Sequence, residues 1–168
     1  MKKTVLMIII ICATSLSIVK AQNTTSKKEF NKTLQAYFDT KNALAKDNVS
    51  LANTSAKSLI ASLATFPVKS LSTVQQTIWK TQSEQIKKAA NAIVLQKDLA
   101  AQRKSFWPLS SAMLKLTQEL KLNATDVFVQ YCPMAKKSWL NEVEDVQNPF
   151  YGSQMYDCGE VTETITKK

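Results

Sequence analysis

The chain contains no histidine and only two glycines among its 168 residues. Without an imidazole, it cannot build a Ser-His-Asp or Cys-His catalytic site, or the common zinc sites that use histidine ligands. With so little glycine, it also lacks the glycine-rich loop that cradles phosphates in familiar nucleotide-binding folds. These two shortages exclude the commonest hydrolases, histidine-based zinc proteins and the familiar nucleotide-binding proteins.

Paired carboxylates remain as a source of acid–base catalysis. The nearest candidates are Glu142 with Glu144, and Asp157 with Glu160. Nothing in the surrounding sequence marks either pair as buried, and catalytic carboxylates usually owe their shifted pKa values to burial and charged neighbours. We therefore expect a protein that is not an enzyme.

The N-terminus has the pattern of a cleaved export signal. Two lysines precede an apolar run over residues 5–19, and Val19-Lys20-Ala21 supplies small residues at a cleavage site. The run is short for a membrane span. We predict a signal peptide over residues 1–21 and a periplasmic or secreted mature chain that starts at Gln22 and has no membrane span.

The chain is basic, with a formal net charge of +9. Most lysines recur at helical spacing away from the apolar positions, as they do on a solvated helix face. Aromatic residues do not alternate with the basic ones. The charge pattern therefore predicts solvated surfaces and no nucleic-acid partner.

Glycine is absent from residues 22–151, and apolar residues there recur at helical spacing. After a polar leader at residues 22–26, the spacing predicts a first helix over about residues 27–46. Asp47 or Asn48 is placed to cap a second helix, which Pro67 should stop.

A capping box at Ser72 and Gln75 predicts the start of a third helix. The apolar stripe then continues to about Leu122, with Pro108 inside it. Because proline removes a helical hydrogen bond and clashes with the preceding turn, we expect a break or bend around residues 104–108. On the same helix, Arg103 is expected to form an intramolecular ion pair or to bind loop carbonyls.

The apolar period changes beyond Asn123. Residues 127–131 and 161–165 alternate as short strands do, and we expect them to pair antiparallel. The predicted fold is therefore mainly α: one domain over residues 22–168, with an antiparallel bundle of about four helices at 27–122. A small C-terminal cap at 123–168 contains a β-hairpin.

The cap carries two sulfur-bearing clusters, Cys132-Pro133-Met134 and Met155 with Cys158. The predicted strand pairing brings both clusters to one end of the ladder. Thiolates and thioethers are soft donors that favour Cu(I) or Ag(I) over oxygen-seeking cations. In an oxidising compartment, the same two cysteines could instead form a structural disulfide, and the sequence leaves both interpretations open.

Two aromatic residues flank these clusters, Trp139 and Tyr131. An aromatic ring can lie over a bound cation, so both residues are candidates for the surroundings of a metal ion. A tryptophan in such a position is more often part of the core or its rim.

Several separated motifs resemble one family of exported bacterial domains of unknown function. They are residues 98–106, residues 108–110, the run from Val127 to Ala135 with its Cys-Pro-Met, Trp139-Leu140, Asn148-Pro149-Phe150-Tyr151-Gly152, Met155 and Cys158-Gly159. Similar domains are appended to periplasmic adaptor subunits of copper/silver efflux systems. The resemblance implies a helical domain with a soft-metal site at Cys132, Met134, Met155 and Cys158.

Taken together, the residues and the resemblance lead us to expect a periplasmic protein that binds Cu(I) or Ag(I). Its role would be copper buffering or handover to efflux, with copper-handling proteins of the envelope as partners. The alternative is a non-catalytic envelope interaction module that has no tightly bound metal and whose cap is held by a Cys132–Cys158 disulfide.

Overall fold

The computed structural model of the protein describes the backbone of residues 2–167 and the side chains of residues 24–167. The predicted signal peptide and its cleavage site lie outside the residues whose side chains are described. Four α-helices and a three-stranded antiparallel sheet follow one another along the described chain. The mainly α fold with a small β-containing cap is confirmed.

The helices are α1 (Lys2–Ala45), α2 (Val49–Thr65), α3 (Thr73–Leu95) and α4 (Leu99–Leu120). The strands are β1 (Val127–Cys132), β2 (Lys137–Asn141) and β3 (Glu160–Ile165). Single 3-10 turns occur at Val68–Ser70 and Gly152–Gln154.

Side chains cap the N-termini of α2, α3 and α4, where the first backbone N–H groups have no helical partner. Asn48 accepts from the Leu51 N–H, and Asp98 accepts from the Ala101 N–H, both at 2.9 Å. Ser72 and Gln75 form the predicted capping box. Of the two candidate caps of α2, Asn48 is therefore the one used.

Two helix boundaries differ from prediction. The predicted polar leader is part of a helix in the structure. Helix α1 includes residues 24–26, and Ser26 is buried against Ser70. The expected break at residues 104–108 is wrong: α4 continues through Pro108, and the chain breaks at residues 96–98 instead. Phe106 and Leu109 are both fully buried, so their burial offsets the roughly 3 kcal/mol that an internal proline costs.

Successive helices pack against one another, α1 on α2, α2 on α3, and α3 on α4. Their facing stripes form one hydrophobic core, as expected for an antiparallel bundle with short loops. Fully buried members of this core include Phe30, Leu34, Leu44, Leu59, Ile86, Ile93, Leu109 and Met113. No helix in the described part of the chain has the length and apolar character needed to cross a membrane.

The sheet has the order β2-β1-β3, with both pairs antiparallel. The predicted pairing of β1 with β3 is confirmed, running from Val127 opposite Ile165 to Tyr131 opposite Glu160. Strand β2 was not predicted; it forms a hairpin with β1 through the turn at residues 133–136.

The sheet is fastened to the bundle by buried hydrogen bonds. The Tyr37 hydroxyl accepts from the Leu140 N–H at 3.0 Å, and it is 2.8 Å from the Ser110 hydroxyl oxygen. Ser110 in turn donates to the Ser138 carbonyl at 3.2 Å. Helices α1 and α4 therefore position the hairpin that carries Cys132.

Candidate metal centre

Cys132 and Cys158 meet at one end of the sheet. Cys132 is the last residue of β1, and Cys158 lies two residues before β3. Because these strands run antiparallel side by side, the two side chains fall close together. Both are free thiols, and their Sγ atoms are 3.3 Å apart within hydrogen-bonding range. Cys132 is fully buried, whereas Cys158 is partly exposed.

The turn after Cys132 places one backbone N–H on its sulfur and another on its carbonyl oxygen. The Ala135 N–H points to the Cys132 Sγ atom at 3.4 Å. The Lys136 N–H binds the Cys132 carbonyl at 2.8 Å, and Lys136 adopts a positive φ of 53° to close the turn. Pro133 follows the cysteine and has a fixed φ, which limits the conformations of the loop.

The two thiols have different acidities because they share one hydrogen bond. Burial raises the pKa of Cys132, but donation from the Ala135 N–H, the Cys158 thiol, the Met134 N–H and the Asn148 side chain outweighs it. The pKa of Cys132 is therefore lowered. The pKa of Cys158 is raised, first because it donates to Cys132, and then through burial and nearby negative charge. The first proton lost leaves a Cys132 thiolate that accepts from the Cys158 thiol.

The predicted methionine ligands take different positions around this pair. Met134 lies in the β1–β2 turn, and 64% of its surface is exposed. Met155 is half-buried; its N–H binds the Gly152 carbonyl at 3.1 Å, and its carbonyl accepts from the Cys158 N–H at 3.2 Å. The structure thus brings the two thiols together, connects Met155 to Cys158 through the backbone and leaves the Met134 side chain largely in solvent.

Asn148 is a fully buried residue of the site that the sequence reasoning missed. Its Nδ2 donates to the Cys158 carbonyl at 2.8 Å, and its Oδ1 accepts from the Phe150 and Tyr151 N–H groups at 2.8 and 3.2 Å. The available signal was an asparagine before Pro149 in a turn, where such side chains commonly bind the backbone two residues on.

Trp139 lies beside the pair as a core residue. Its ring packs edge-on against Phe150, with ring centroids 5.9 Å apart, and the side chain is fully buried. A Cβ atom at Gly159 would lie 2.9 Å from the Tyr131 carbonyl oxygen and 3.0 Å from the Trp139 ring. Glycine at 159 therefore lets the chain next to Cys158 approach both predicted aromatic neighbours, Tyr131 through its backbone and Trp139 through its ring.

Helix α4 and the α1–α2 turn are connected to the cap through Arg103. Arg103 donates from Nε to the Pro149 carbonyl at 3.1 Å and from Nη2 to the Leu44 carbonyl at 3.0 Å. It also forms an ion pair with Asp47. The predicted role of Arg103 in an intramolecular ion pair and in binding loop carbonyls is confirmed.

A family model described as "Protein of unknown function (DUF3347)" matches residues 33–125, more than half of the chain. The chain belongs to this family. No curated protein and no solved structure matches the chain. The matched DUF3347 segment runs from α1 through α4 and ends before β1. The cysteine motifs and the link to efflux adaptors therefore remain predictions.

Within the described residues of this DUF3347 protein, no three His, Cys, Asp or Glu side chains are grouped to hold a metal. The candidate metal site is the pair of thiols of Cys132 and Cys158. With both sulfurs about 2.3 Å from one metal, a tetrahedral angle would need the sulfurs about 3.8 Å apart. A disulfide would need them about 2.05 Å apart. The observed Sγ–Sγ distance of 3.3 Å lies between these two values. A small movement of the sulfurs would therefore reach either the metal-bound or the disulfide arrangement.

Proposed function

We propose that this protein binds one Cu(I) or Ag(I) ion through Cys132 and Cys158, with the thioethers of Met134 and Met155 as further donors. In the cell it would buffer copper in the periplasm or hand it to an efflux system. The observation that carries this proposal is the pair of free thiols 3.3 Å apart, one buried and one partly exposed.

The chemistry of the pair suits a monovalent soft ion. Two thiolates and one Cu(I) leave a single net negative charge, and the thioethers add ligands without having to lose a proton. Hydrogen bonds from Ala135 and other donors lower the pKa of Cys132 against the effect of burial, which favours loss of its proton to a metal ion. Binding to two thiolates displaces thiol protons, so copper uptake should release protons and weaken as the pH falls.

The exposure of Met134 fits a role in metal exchange. A thioether on a solvent-exposed turn can meet an incoming ion before it reaches the buried Cys132 sulfur. Methionine is flexible and needs no proton loss to bind. We therefore assign Met134 to capture and release of the ion in addition to its coordination, and the two cysteines to its retention.

A competition titration tests the proposal. Reduced protein, residues 22–168, is titrated with Cu(I) against a chromogenic chelator. The wild type should retain one copper ion per chain, and the Cys132→Ser/Cys158→Ser double variant should retain none, because no thiolate remains. Equal copper retention by these two proteins would refute the proposed site.

Methionine substitutions test the thioethers with a matched control. Met134→Leu and Met155→Leu should each weaken Cu(I) binding, because leucine preserves most of the volume but has no sulfur lone pair. Met113→Leu changes a methionine that is fully buried in α4 and should leave binding unchanged. Zinc should compete poorly, since among residues 24–167 no third histidine, cysteine or carboxylate is grouped with the pair to complete its usual set.

The same thiol distance favours the alternative function, a non-catalytic envelope interaction module with a structural disulfide. Closing the 26-residue separation between the cysteines would stabilise the fold by about 3.5 kcal/mol in the chain-entropy picture. This alternative predicts no stoichiometric copper uptake, indifference to both methionine changes, and a marked fall in melting temperature on reduction. Thermal melts of oxidised and reduced protein, run beside the copper titration, distinguish the two functions.

A further inference from the structure

We propose that the outer edge of β3 pairs with β3 of a second copy of this chain, which joins two three-stranded sheets into one. The pairing runs antiparallel across a two-fold axis at Ile165, and it sets Glu163 of each copy opposite Lys167 of the other. Pairing of this kind leaves the candidate metal site open, because the thiol pair lies at the opposite end of β3 from Ile165.

The two outer strands of the sheet differ in what covers them. On the outer edge of β2, the Leu140 N–H donates to the Tyr37 hydroxyl. The Ser138 carbonyl on the same edge accepts from the Ser110 hydroxyl. On β3, residues 162–164 are exposed, and within residues 24–167 no further strand pairs with its outer side. An uncovered strand edge offers its N–H and C=O groups to another chain, so β3 is where a further strand can add.

The backbone of β3 shows which groups point outward. The Lys167 N–H donates to the Asp126 side chain at 2.8 Å, which directs it to the β1 side of the strand. Backbone groups along an antiparallel strand alternate between its two edges. The N–H and C=O groups of Thr166 and Thr164 therefore face outward.

The hydrogen bonds of β2 lead to the same alternation. The Leu140 N–H points away from β1, so the residue before it bonds to Gln130, its partner in β1. Val129, which precedes Gln130, then bonds to β3, where it lies opposite Glu163. Because Glu163 faces β1, Thr164 after it faces outward.

A β-bulge limits the length of this outer edge. The pairing of β1 with β3 shifts by one residue at Thr162, whose hydroxyl donates to the Val129 carbonyl at 3.2 Å. Bulges bend a strand and often protect an edge from pairing, so the straight part of this edge is residues 163–167. A register centred on Ile165 is the one that pairs this whole segment with its own copy.

This register satisfies both the backbone and the charges. Thr164 of one copy lies opposite Thr166 of the other, so the outward-facing groups exchange hydrogen bonds on both sides of the axis. Glu163 and Lys167 are both exposed, and they meet twice as directly opposed charges. Sliding one strand by two residues, the smallest shift that keeps the backbone pairing, removes both ion pairs.

A groove beside the edge leaves room for the added strand. It has a volume of about 280 Å³ and lies between Gln118 and Lys121 at the end of α4 and residues 163–166. The Gln118 Nε2 donates to the Glu163 Oε2 at 2.7 Å, which holds the carboxylate at the edge. The Oε1 atom of Glu163 then remains to accept from Lys167 of the second copy.

Sedimentation equilibrium of reduced protein, residues 22–168, measures the association, and the reducing agent prevents an intermolecular disulfide. One strand pair is small beside a standard interface, so we expect a weak dimer that is populated at about 0.1–1 mM protein. A wild type that stays monomeric up to about 1 mM would overturn the proposal and leave this edge to a peptide of another protein.

Charge reversal tests the register. Glu163→Lys and Lys167→Glu should each weaken association by about tenfold or more, because like charges then lie opposite each other twice. Mixing the two variants in equal amounts should restore association, since each contact between positions 163 and 167 in the mixed dimer joins opposite charges. Glu160→Lys is the matched control: it changes the charge of the same strand outside the paired segment and should associate as the wild type does.

A proline tests the backbone pairing. Thr164→Pro removes an outward-facing N–H, and edge strands tolerate proline where the N–H faces solvent, so the variant should fold but not associate. Thr164→Val keeps the N–H and should still dimerise. Circular dichroism checks folding, and the charge variants stay decisive if the proline variant is unfolded. A wild-type dimer that persists unchanged in both charge variants would show that the copies meet elsewhere and would refute the proposal.

Discussion

The guanidinium of Arg103 in α4 forms an ion pair with the carboxylate of Asp47 in the α1–α2 turn, directly against Gly152 of the cap. The Ser153 N–H and hydroxyl also donate to Asp47. The hydrogen bonds from Ser153, together with the hydrogen bond and the charge of Arg103, outweigh desolvation and lower the pKa of Asp47. Bundle and cap therefore approach so closely at Gly152 that a side chain at this position would not fit.

Gly152→Ala should weaken this junction. Gly152 has a φ of +58°, and an added Cβ would collide with the Arg103 guanidinium and the Asp47 carboxylate. We expect the free energy of unfolding to fall by about 1–3 kcal/mol, the usual cost of a strained backbone position plus displaced contacts. Urea unfolding measures it. Gln154→Ala, at an exposed position in the same turn, is the control. Equal stability of both variants would show that the cap does not depend on this close approach.

The helix phase of α4 is tested by Leu109→Asp against Lys115→Asp. Leu109 is fully buried and Lys115 is exposed, so only the first change buries a charge. We expect Leu109→Asp to destabilise the protein by about 4 kcal/mol or to prevent folding, and Lys115→Asp to change stability by less than about 0.5 kcal/mol. Thermal unfolding followed by circular dichroism distinguishes these results. Similar melting temperatures would contradict the assigned packing of the helix.

Because of Lys41, the free energy of unfolding should change with pH in the alkaline range. This fully buried lysine donates to Asn141 and to Gln147 Oε1, the latter at 2.9 Å, and forms an ion pair with Glu142 at 3.3 Å. Burial lowers its pKa from 10.5 to about 8, which the charge of Glu142 only partly offsets. Between these two values the unfolded chain binds more protons than the folded one, so the free energy of unfolding should rise with pH.

The measurement compares how the free energy of unfolding changes with pH, and not its absolute value, because Lys41→Met also leaves amide oxygens without their donor. From pH 8 to pH 10, the stability of the wild type relative to Lys41→Met should increase. The exposed lysine variant Lys115→Met should keep the wild-type slope. Parallel pH dependence in wild type and Lys41→Met would mean that Lys41 does not carry the effect.

The bundle was largely predictable because its signals are local. Apolar spacing located the helices, and the Ser72 capping box is a contact between residues three apart. Pro108 misled the prediction because its cost is local, whereas the burial of Phe106 and Leu109 that outweighs it depends on the whole core. The break at residues 96–98 coincides with the Asp98 cap, which the sequence contained but the longer apolar stripe obscured.

In the cap, the sequence predicted which strands pair but not what surrounds the sulfurs. Alternation at residues 127–131 and 161–165 was sufficient to bring Cys132 to Cys158. Strand β2 is short and begins with Lys137, so its pattern was not recognised. The role of Asn148 depends on contacts across ten residues, and no spacing rule indicates where a buried amide will point.

Copper binding at Cys132 and Cys158 is best tested by mass spectrometry of protein purified from its native cells, in native form and after alkylation of free thiols. If the pair binds a soft metal ion, the native spectrum shows one copper or silver ion per chain, and two cysteines are alkylated once the metal is removed. A metal-free chain that resists alkylation until it is reduced would refute metal binding and identify Cys132 and Cys158 as a structural disulfide.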